Sequence, residues 1–213
     1  MATPKKLRVT KNGLARLRDA DPDFGAVLDA VGPCRLTYRN ASCDLESLVR
    51  AIVYQQLSGK AAGTIFGRFR ELFPGDGFPS AQEIGRMHHA RLRKAGVSRQ
   101  KQAAIKDLCR HVGSGALPLE DLAALDDEDL IERLTAVRGI GRWSAQMFML
   151  FHLGRRDVWP VDDLGIRKGV QKLRRLDALP SPRAMEAYGE PYAGQRSIVS
   201  WYLWRWQDGP AAG

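Results

Sequence analysis

The strongest constraint on the fold is a two-glycine turn between two helical patterns. Apolar residues recur at helical spacing over 130–134 and again over 143–151, and Val137-Arg-Gly-Ile-Gly-Arg-Trp143 lies between them. Glycine adopts positive φ at little cost, so this G-x-G spacing allows a tight turn with backbone N–H groups at its surface. The second helix begins near Gly141 with unpaired amides, which attract phosphate oxygens. The stretch therefore predicts two helices joined by a hairpin that can bind phosphate.

The rest of the chain is also predicted to be helical, and no strand pattern extends beyond short pieces. Helical spacing predicts two helices over 14–31, split at Asp21-Pro22, and further helices over 45–57, 61–73, 80–87, 90–94, 98–111, 141–152, 165–175, 183–188 and 196–206. The helix over 141–152 is markedly apolar and is expected to be the most buried. The fold class is therefore all-α.

Composition favours a polyanionic partner. The 213 residues carry a net charge of +9, and residues 1–11 are basic and mostly polar, which predicts a flexible tail. No apolar run is long enough to span a bilayer and no signal-peptide pattern follows Met1, so a cytosolic protein is expected. The three cysteines are widely spaced and form no C-x-x-C pair, which argues against a disulfide framework and against a zinc site.

A pair of acids provides the candidate chemistry. Asp162 and Asp163 follow Trp159-Pro160-Val161 and precede a helix that is rich in Arg and Lys. An aspartate before a helix is commonly an N-cap, so either residue could be structural. The residues alone leave the choice between them open. An acidic cluster over 120–132 should face away from any bound phosphate, because like charges repel.

The order of these motifs carries a resemblance. The sequence L-T-A-V-R-G-I-G-R-W-S-A-Q, followed by W-P-V-D-D-L-G, resembles the helix-hairpin-helix motif, the Gly/Pro-rich loop and the aspartate of the HhH-GPD DNA glycosylases. Within that superfamily, R-G-I-G-R-W is similar to the 3-methyladenine DNA glycosylase II branch. The resemblance covers about 45–206. The additional N-terminal β-rich domain known in that branch is expected to be absent from these 213 residues.

The resemblance implies an all-α fold of two lobes with the active-site cleft between them. One lobe is expected over 45–134, and the other over 12–44 together with 135–213, which would hold the hairpin and the catalytic aspartate. The implied activity is hydrolysis of the N-glycosidic bond of alkylated purines, such as 3-methyladenine or 7-methylguanine, in double-stranded DNA. The base is flipped out and an abasic site remains. A monomer is expected, associated with the nucleoid if the source is bacterial.

The resemblance also assigns roles to individual residues. It places the catalytic carboxylate on Asp163, with Asp162 as a cap or supporting residue. The expected base-binding pocket consists of Trp143, Trp204, Tyr54 and Met147. The residues expected to bind DNA are Gln56, Ser58, Gly59, Lys60, Arg138, Gly139, Gly141 and Arg142. Among them, Gln56 is expected to fill the gap left by the flipped nucleotide.

Two further expectations concern reaction type and cofactors. Members that also cleave the strand carry a Schiff-base lysine at the position of Trp143, so a monofunctional enzyme is expected. No cofactor is required. Because no cysteine follows Cys109, the iron–sulfur loop of some members is excluded. The hairpin resembles those that hold Na⁺ or K⁺ through backbone carbonyls, here those of Thr135, Val137 and Ile140.

Two alternatives remain at this point. A non-catalytic helix-hairpin-helix module would keep the glycines and the charge, but would have no reason to keep Asp163, the aromatic residues and the Gln55-Gln56 segment together. An oxidised-base glycosylase with lyase activity is disfavoured by Trp143.

Overall fold

A computed structural model describes residues 4–39 and 43–208, apart from the side chain of Asp208. In chain order the elements are β1 (Lys5–Lys6), α1 (Lys11–Ala20), α2 (Pro22–Val31), β2 (Thr37–Tyr38), α3 (Leu45–Tyr54), α4 (Gly59–Arg70), α5 (Ala81–Arg86), α6 (His89–Lys94), α7 (Arg99–Gly113), α8 (Leu119–Leu122), α9 (Asp127–Thr135), α10 (Arg142–Phe148), a π-helix (Met149–Leu153), α11 (Leu164–Arg174), α12 (Pro182–Gly189), a 3₁₀-helix (Glu190–Tyr192) and α13 (Arg196–Asp208). The all-α prediction is confirmed. Within the described residues, no helix has the length and apolar character needed to cross a membrane.

Polar caps determine where the helices begin. Asp44 and Ser47 form a reciprocal capping box at the start of α3, and the side chains of Ser98 and Asp126 cap α7 and α9. Helix α3 ends at Tyr54, before the predicted end at Leu57, because the chain turns sharply after it. The residues between α3 and α4 are therefore loop rather than helix.

The predicted N-terminal tail is partly structured, which differs from the expectation for residues 1–11. Lys5 and Lys6 pair antiparallel with Tyr38 and Thr37. Leu7 follows this strand and is buried at 8% exposure, which accounts for the order of the segment. Residues 1–3 of the predicted tail lie outside the described residues.

Residues 41–148 form one of two compact units. Its core includes the buried face of α3, made by Leu48, Val49, Ile52 and Val53, and this helix packs against α4 and α7. Helix α10 contacts α9 and α3, so the hairpin belongs to this unit. The predicted lobe boundary assigned the hairpin instead to the lobe with Asp163; the packing of α10 on these two helices accounts for the difference.

Residues 1–40 and 149–213 form the other unit. Helices α11 and α13 approach closely at Gly169, where an added Cβ would lie 2.7 Å from the Leu203 carbonyl oxygen. The Phe24 ring contacts the rings of Tyr192 and Tyr202 in the core. Asp21 is buried there, caps α2 and forms an ion pair with Arg174 at 2.6 Å.

The apolar helix predicted over 141–152 is interrupted. It consists of α10 followed by a π-helical turn, a rare geometry in which one extra residue shifts the side chains around the helix axis. The expectation that it is the most buried helix is wrong at two positions. Trp143 is 38% exposed and Phe151 is 41% exposed. Both aromatic side chains are therefore accessible to a ligand.

Candidate active site

Asp163 is a buried carboxylate at the N-terminus of α11. It is 8% exposed, and its Oδ1 accepts a hydrogen bond from the Ile166 N–H at 2.9 Å, which caps the helix. The Trp204 Nε1–H donates to the same oxygen at 2.8 Å. These two donors hold the carboxylate in one orientation. Asp162 is exposed and is not the cap, so the geometry favours Asp163 for chemistry that needs a fixed, buried acid.

Gly165 makes this arrangement possible. A Cβ at this position would lie 2.7 Å from Trp204 Cδ1 and 3.2 Å from Asp163 Oδ1. Any other residue would therefore push the indole away from the carboxylate. The signal is present in the sequence as the glycine two positions after Asp163, but sequence reasoning did not assign it a role.

Trp204 is half-buried and stacks on the exposed Phe151. The ring centroids are 5.6 Å apart with an interplanar angle of 21°. The prediction placed Trp204 in a base-binding pocket; its observed partners are Phe151 and Asp163. Phe151 lies in the helix that is expected from the sequence to be the most buried, yet it forms an open aromatic surface with the indole that supports Asp163.

The hairpin that was predicted between α9 and α10 is present, and its two glycines differ. Gly139 has φ 80°, and an added Cβ would lie 2.9 Å from the Ala104 Cβ. Gly141 has no positive φ, and a Cβ there would meet nothing within 4 Å. The Arg138 N–H donates to Asp107 Oδ2 at 2.8 Å, which ties the hairpin to α7. The turn therefore requires glycine at position 139 but not at 141.

The Gln55-Gln56 segment lies beside this hairpin within the same unit. The Gln55 Nε2 donates to the Gly139 carbonyl at 3.0 Å and to Ser144 Oγ at 3.1 Å. Gln56 is exposed and has φ 56°, an uncommon conformation for a residue other than glycine. Such strained residues cluster at functional sites. Gln55 was not among the predicted site residues, because side-chain bonds to backbone carbonyls leave no sequence pattern.

Three predicted residues are brought together around one hollow of about 190 Å³. Gln56, Gly139 and Trp143 line it, and the remaining lining residues are Gln55, Gln100, Lys101, Ala104 and Ser144. Lys101, which sequence reasoning did not select, donates from Nζ to the carbonyl oxygens of Val53 and Gln55. Polar and apolar groups therefore both line the hollow, and an exposed indole flanks it.

Other predicted DNA-binding residues lie at the surface of this unit. Gly59, Lys60 and Arg138 are exposed, as expected for phosphate contacts. Ser58 caps α4 through a bond from the Ala61 N–H, so its hydroxyl has a structural role. Arg142 pairs with Glu128, its Nη1 donating to Oε2 at 2.9 Å. Glu128 therefore competes with phosphate for the Arg142 guanidinium.

Two residues of the predicted base pocket have local partners. Tyr54, the last residue of α3, bonds to the Arg50 guanidinium, which also lies 4.0 Å above the tyrosine ring centroid. Met147 is half-buried on α10. Their role at a base stays a prediction.

The predicted cation site also stays a prediction. Within the hairpin, the Val137 carbonyl accepts from the Ile140 N–H at 3.1 Å. Thr135 is the last residue of α9. Over residues 4–39 and 43–208, no group of three or more His, Cys, Asp or Glu side chains could hold a metal ion.

Comparison with known families gives a match over most of the chain. The family described as "HhH-GPD superfamily base excision DNA repair protein" matches residues 49–193. The matched segment contains the Gln55-Gln56 turn, the hairpin and Asp163.

Individual relatives and solved structures agree with this match. DNA-3-methyladenine glycosylase 1 of Schizosaccharomyces pombe is 40% identical over 161 residues, covering 75% of this chain and 71% of the relative. The structure of a 3-methyladenine DNA glycosylase from the same yeast, in complex with abasic DNA, shares 36% identity with a TM-score of 0.75, covering 92% of this chain and 96% of that one. A DNA-3-methyladenine glycosidase of Bacillus halodurans shares 32% identity with a TM-score of 0.79, covering 96% and 92%.

Proposed function

Because the chain belongs to the HhH-GPD superfamily of base excision DNA repair proteins, we propose that it is a monofunctional glycosylase that releases alkylated purines from duplex DNA. The relatives named DNA-3-methyladenine glycosylases support this substrate class. The observation that carries the proposal is Asp163, a buried carboxylate held by Trp204 and by the start of α11. The protein is proposed to act in the compartment that holds the cell's DNA, which in a bacterium is the cytoplasm.

The chemistry needs a fixed negative charge. Breaking an N-glycosidic bond develops positive charge on the sugar, and a carboxylate held against that sugar stabilises the cation. Asp163 is proposed to do this and to orient the water that attacks C1′. The C1′–N bond breaks with its electron pair going to the base, the water proton passes to the Asp163 carboxylate as the C1′–O bond forms, and the products are the neutral free base and an abasic site. Because Asp163 is already held by two donors, it does not have to reorganise during the reaction.

The proposed substrates explain why one acid is sufficient. An alkylated purine such as 3-methyladenine or 7-methylguanine carries a positive charge, so it leaves without a proton from an acid. Electron-rich aromatic faces attract a cationic ring by about 0.5–2 kcal/mol. The stacked pair of Phe151 and Trp204, beside Asp163, is suited to this selection over neutral bases.

Base flipping is assigned to the unit of residues 41–148. The start of α10 and the exposed side chains of Arg138 and Lys60 are proposed to bind phosphates, which fixes the enzyme on the duplex without reading its sequence. Gln56 is proposed to enter the vacated position in the stack and to hydrogen-bond the orphaned base. The exposed, left-handed conformation of Gln56 supports this role.

The alternatives are weaker on the same observations. A non-catalytic DNA-binding module has no use for a buried carboxylate that a helix N-terminus and an indole donor hold in place, with Gly165 leaving space for the indole. A glycosylase with lyase activity needs an amine in the hairpin helix, and Trp143 occupies the position where that lysine is found. The reaction therefore ends at the abasic site.

The decisive variant is Asp163→Asn, with Asp162→Asn as the matched control. On a duplex with a single 7-methylguanine, Asp163→Asn is expected to lose base release by a factor of about 10²–10³, the order seen when a main electrostatic stabiliser is removed. Duplex affinity should stay near wild type, because the shape is kept. The control should keep most of its activity. Substantial turnover by Asp163→Asn, measured as base released in a single turnover, contradicts the assignment.

The reaction type is tested on the wild-type protein in the same assay. The product strand should stay intact until alkali or heat is applied, and borohydride should trap no covalent protein–DNA adduct. A trapped adduct would show an imine, and the monofunctional proposal would fail, with Lys168 the nearest lysine in sequence to Asp163.

A further inference from the structure

We propose that Lys101 is a positioning residue for base flipping, which holds the Gln55-Gln56 turn so that Gln56 is presented to the DNA stack. The inference rests on the proposed function, because it concerns how the flipping residue is placed. It involves residues of the unit 41–148 alone.

The ammonium of Lys101 closes the C-terminal end of α3. Its Nζ donates to the carbonyl oxygens of Val53 at 2.7 Å and of Gln55 at 2.8 Å. The last carbonyls of a helix have no partner within the helix, and a cation near them is favoured by the helix dipole. The Val53 carbonyl belongs to the last turn of α3, and the Gln55 carbonyl comes directly before Gln56. Lys101 therefore fixes the main chain at the point where it leaves the helix.

The two hydrogen bonds of Lys101 require its ammonium to lose part of its contact with water. Lys101 is half-buried, and desolvation lowers its pKa below the ordinary value for lysine. An exposed lysine avoids this cost by extending into water. The side chain of Lys101 instead turns inward to two backbone oxygens, which indicates that the turn needs this support.

The conformation of the turn explains the need. Gln56 has φ 56°, and it is one of two residues other than glycine with positive φ among those the structure describes. A glutamine is strained in this region, so a free loop would relax from it. Because the strained residue is exposed, packing of its own side chain cannot hold it. The hydrogen bonds on its N-terminal side supply the restraint.

A second anchor ties the same turn to the hairpin. The Gln55 Nε2 donates to the Gly139 carbonyl and to Ser144 Oγ. Lys101 thus restrains the main chain of Gln55, and the Gln55 side chain sets its distance from the phosphate-binding hairpin. Together they make the flipping residue and the hairpin one rigid unit. A DNA backbone docked on the hairpin then has Gln56 at a fixed offset.

The experiment is a double-mutant cycle between Lys101 and Gln56. Lys101→Met removes the donor and keeps the length, and Lys106→Met on the same helix is the control for loss of charge. Single-turnover release of 7-methylguanine is measured from a paired duplex and from one in which the lesion is mismatched. Lys101→Met is expected to slow release from the paired duplex roughly tenfold relative to the control. On the mismatched duplex, where extrusion is easier, the two should agree within about threefold.

The cycle distinguishes positioning from general structural support. In a Gln56→Ala background, Lys101→Met should cause no further loss on the paired duplex, because the residue through which it acts is gone. Fluorescence of 2-aminopurine beside the lesion should report less unstacking for Lys101→Met than for its control. Gln55→Met, at the other anchor, is assayed in the same cycle and carries the test if Lys101→Met does not fold.

Three outcomes overturn the inference. Losses that add in the Gln56→Ala background would show that Lys101 acts independently of Gln56. Equal losses on paired and mismatched duplexes would show a general structural role. A salt dependence of duplex binding that falls more for Lys101→Met than for Lys106→Met would make Lys101 itself a phosphate contact. Failure of the wild-type protein to release any alkylated base would refute the proposed function instead.

Discussion

The surroundings of Asp163 differ from the surface formed by the Gln55-Gln56 turn and the hairpin in which groups are held in place. Asp163 is buried, and the groups that hold it are an indole N–H and the amide at the start of α11. Gln56 is exposed, and the groups around it hold backbone carbonyls rather than functional side chains. Bond cleavage needs one charge fixed in a site with little water, whereas recognition of a phosphate backbone needs a main-chain shape. Substitutions in the first region should therefore change the chemical step, and those in the second should change binding and flipping.

Among the variants that test this comparison, Trp204→Phe is expected to have the largest effect, on the single-turnover rate. The change removes the Nε1–H that donates to Asp163 but keeps an aromatic ring that can stack on Phe151. A hydrogen bond to a charged group contributes about 1.5–3 kcal/mol, so the single-turnover rate should fall by roughly 10- to 100-fold. Duplex affinity should stay within about threefold of wild type.

Trp206→Phe is the matched control for this variant. Trp206 lies on the same helix and contacts Lys172 rather than Asp163. Its rate should stay near wild type. If both variants lose activity alike, or if Trp204→Phe weakens binding as much as it slows cleavage, the indole does not act through the carboxylate.

The next largest effect is expected at the two hairpin glycines, whose substitution should change the free energy of unfolding by different amounts. Gly139→Ala puts a Cβ at positive φ and 2.9 Å from Ala104, so we expect a loss of about 1–3 kcal/mol in the free energy of unfolding. Gly141→Ala meets no neighbour and should leave this free energy nearly unchanged. Thermal denaturation measures the difference between them.

Measurements of duplex binding test whether Gly139 also matters for function. Gly139→Ala should weaken binding to lesion and undamaged duplexes by the same factor, roughly tenfold, because phosphate contacts carry no sequence information. Affinity of the wild type should fall steeply with salt. A variant that loses affinity for the lesion duplex alone would show that the hairpin reads the base and not the backbone.

The same contrast explains what could be predicted from the sequence. The all-α fold followed from helical spacing, and the aspartate from its position in a motif, because both depend on side-chain identity. The exposure of Phe151 was not predicted, since an apolar helical run gives no sign of the π-helical turn that contains this residue. Gly165 was passed over, although its missing Cβ is what lets Trp204 reach Asp163.

The contacts of Gln55 and Lys101 could not be predicted in this way. Their partners are backbone carbonyls that are distant in sequence, and any residue supplies a carbonyl. The order of residues 4–10 was missed for a similar reason, because two-residue strands lie below the length at which alternation is visible. Sequence patterns thus gave the candidate chemical groups, and the structure was needed for the groups that hold the main chain.

A smaller effect is expected at Asp107, which anchors the hairpin through the Arg138 N–H. Burial raises the pKa of Asp107, but hydrogen bonds from the Arg138 N–H and the Arg110 side chain outweigh it, so the net pKa lies below the ordinary value. A carboxylate with a lowered pKa stabilises the fold at neutral pH, and this contribution is lost as the pH falls through the folded-state value. Asp107→Asn should therefore lower the free energy of unfolding by about 1 kcal/mol at pH 7.

The pH dependence checks this assignment. The difference between wild type and Asp107→Asn should shrink as the pH falls from the ordinary aspartate pKa of about 3.9 to below the folded-state value. Denaturant titrations across that range measure it, with the exposed Asp121→Asn as a control. A difference that stays constant with pH would mean that the charge of Asp107 does not support the hairpin.

The smallest effect is expected at Glu128, whose carboxylate competes with phosphate for Arg142. Arg142 pairs with Glu128, and both side chains are largely exposed, at 47% and 71%. Glu128→Gln should change the free energy of unfolding by no more than about 0.5 kcal/mol, as is usual for an exposed pair. It should raise duplex affinity by roughly two- to threefold at low salt, because Arg142 is released and a repelling charge is lost.

Glu120→Gln removes the same charge from another exposed position and should have a smaller effect. The advantage of Glu128→Gln over this control should vanish at high salt, where an exposed charge is screened. Equal affinities for the two variants at low salt would show that Arg142 does not bind phosphate, and would leave recognition of the backbone to the main chain of the hairpin.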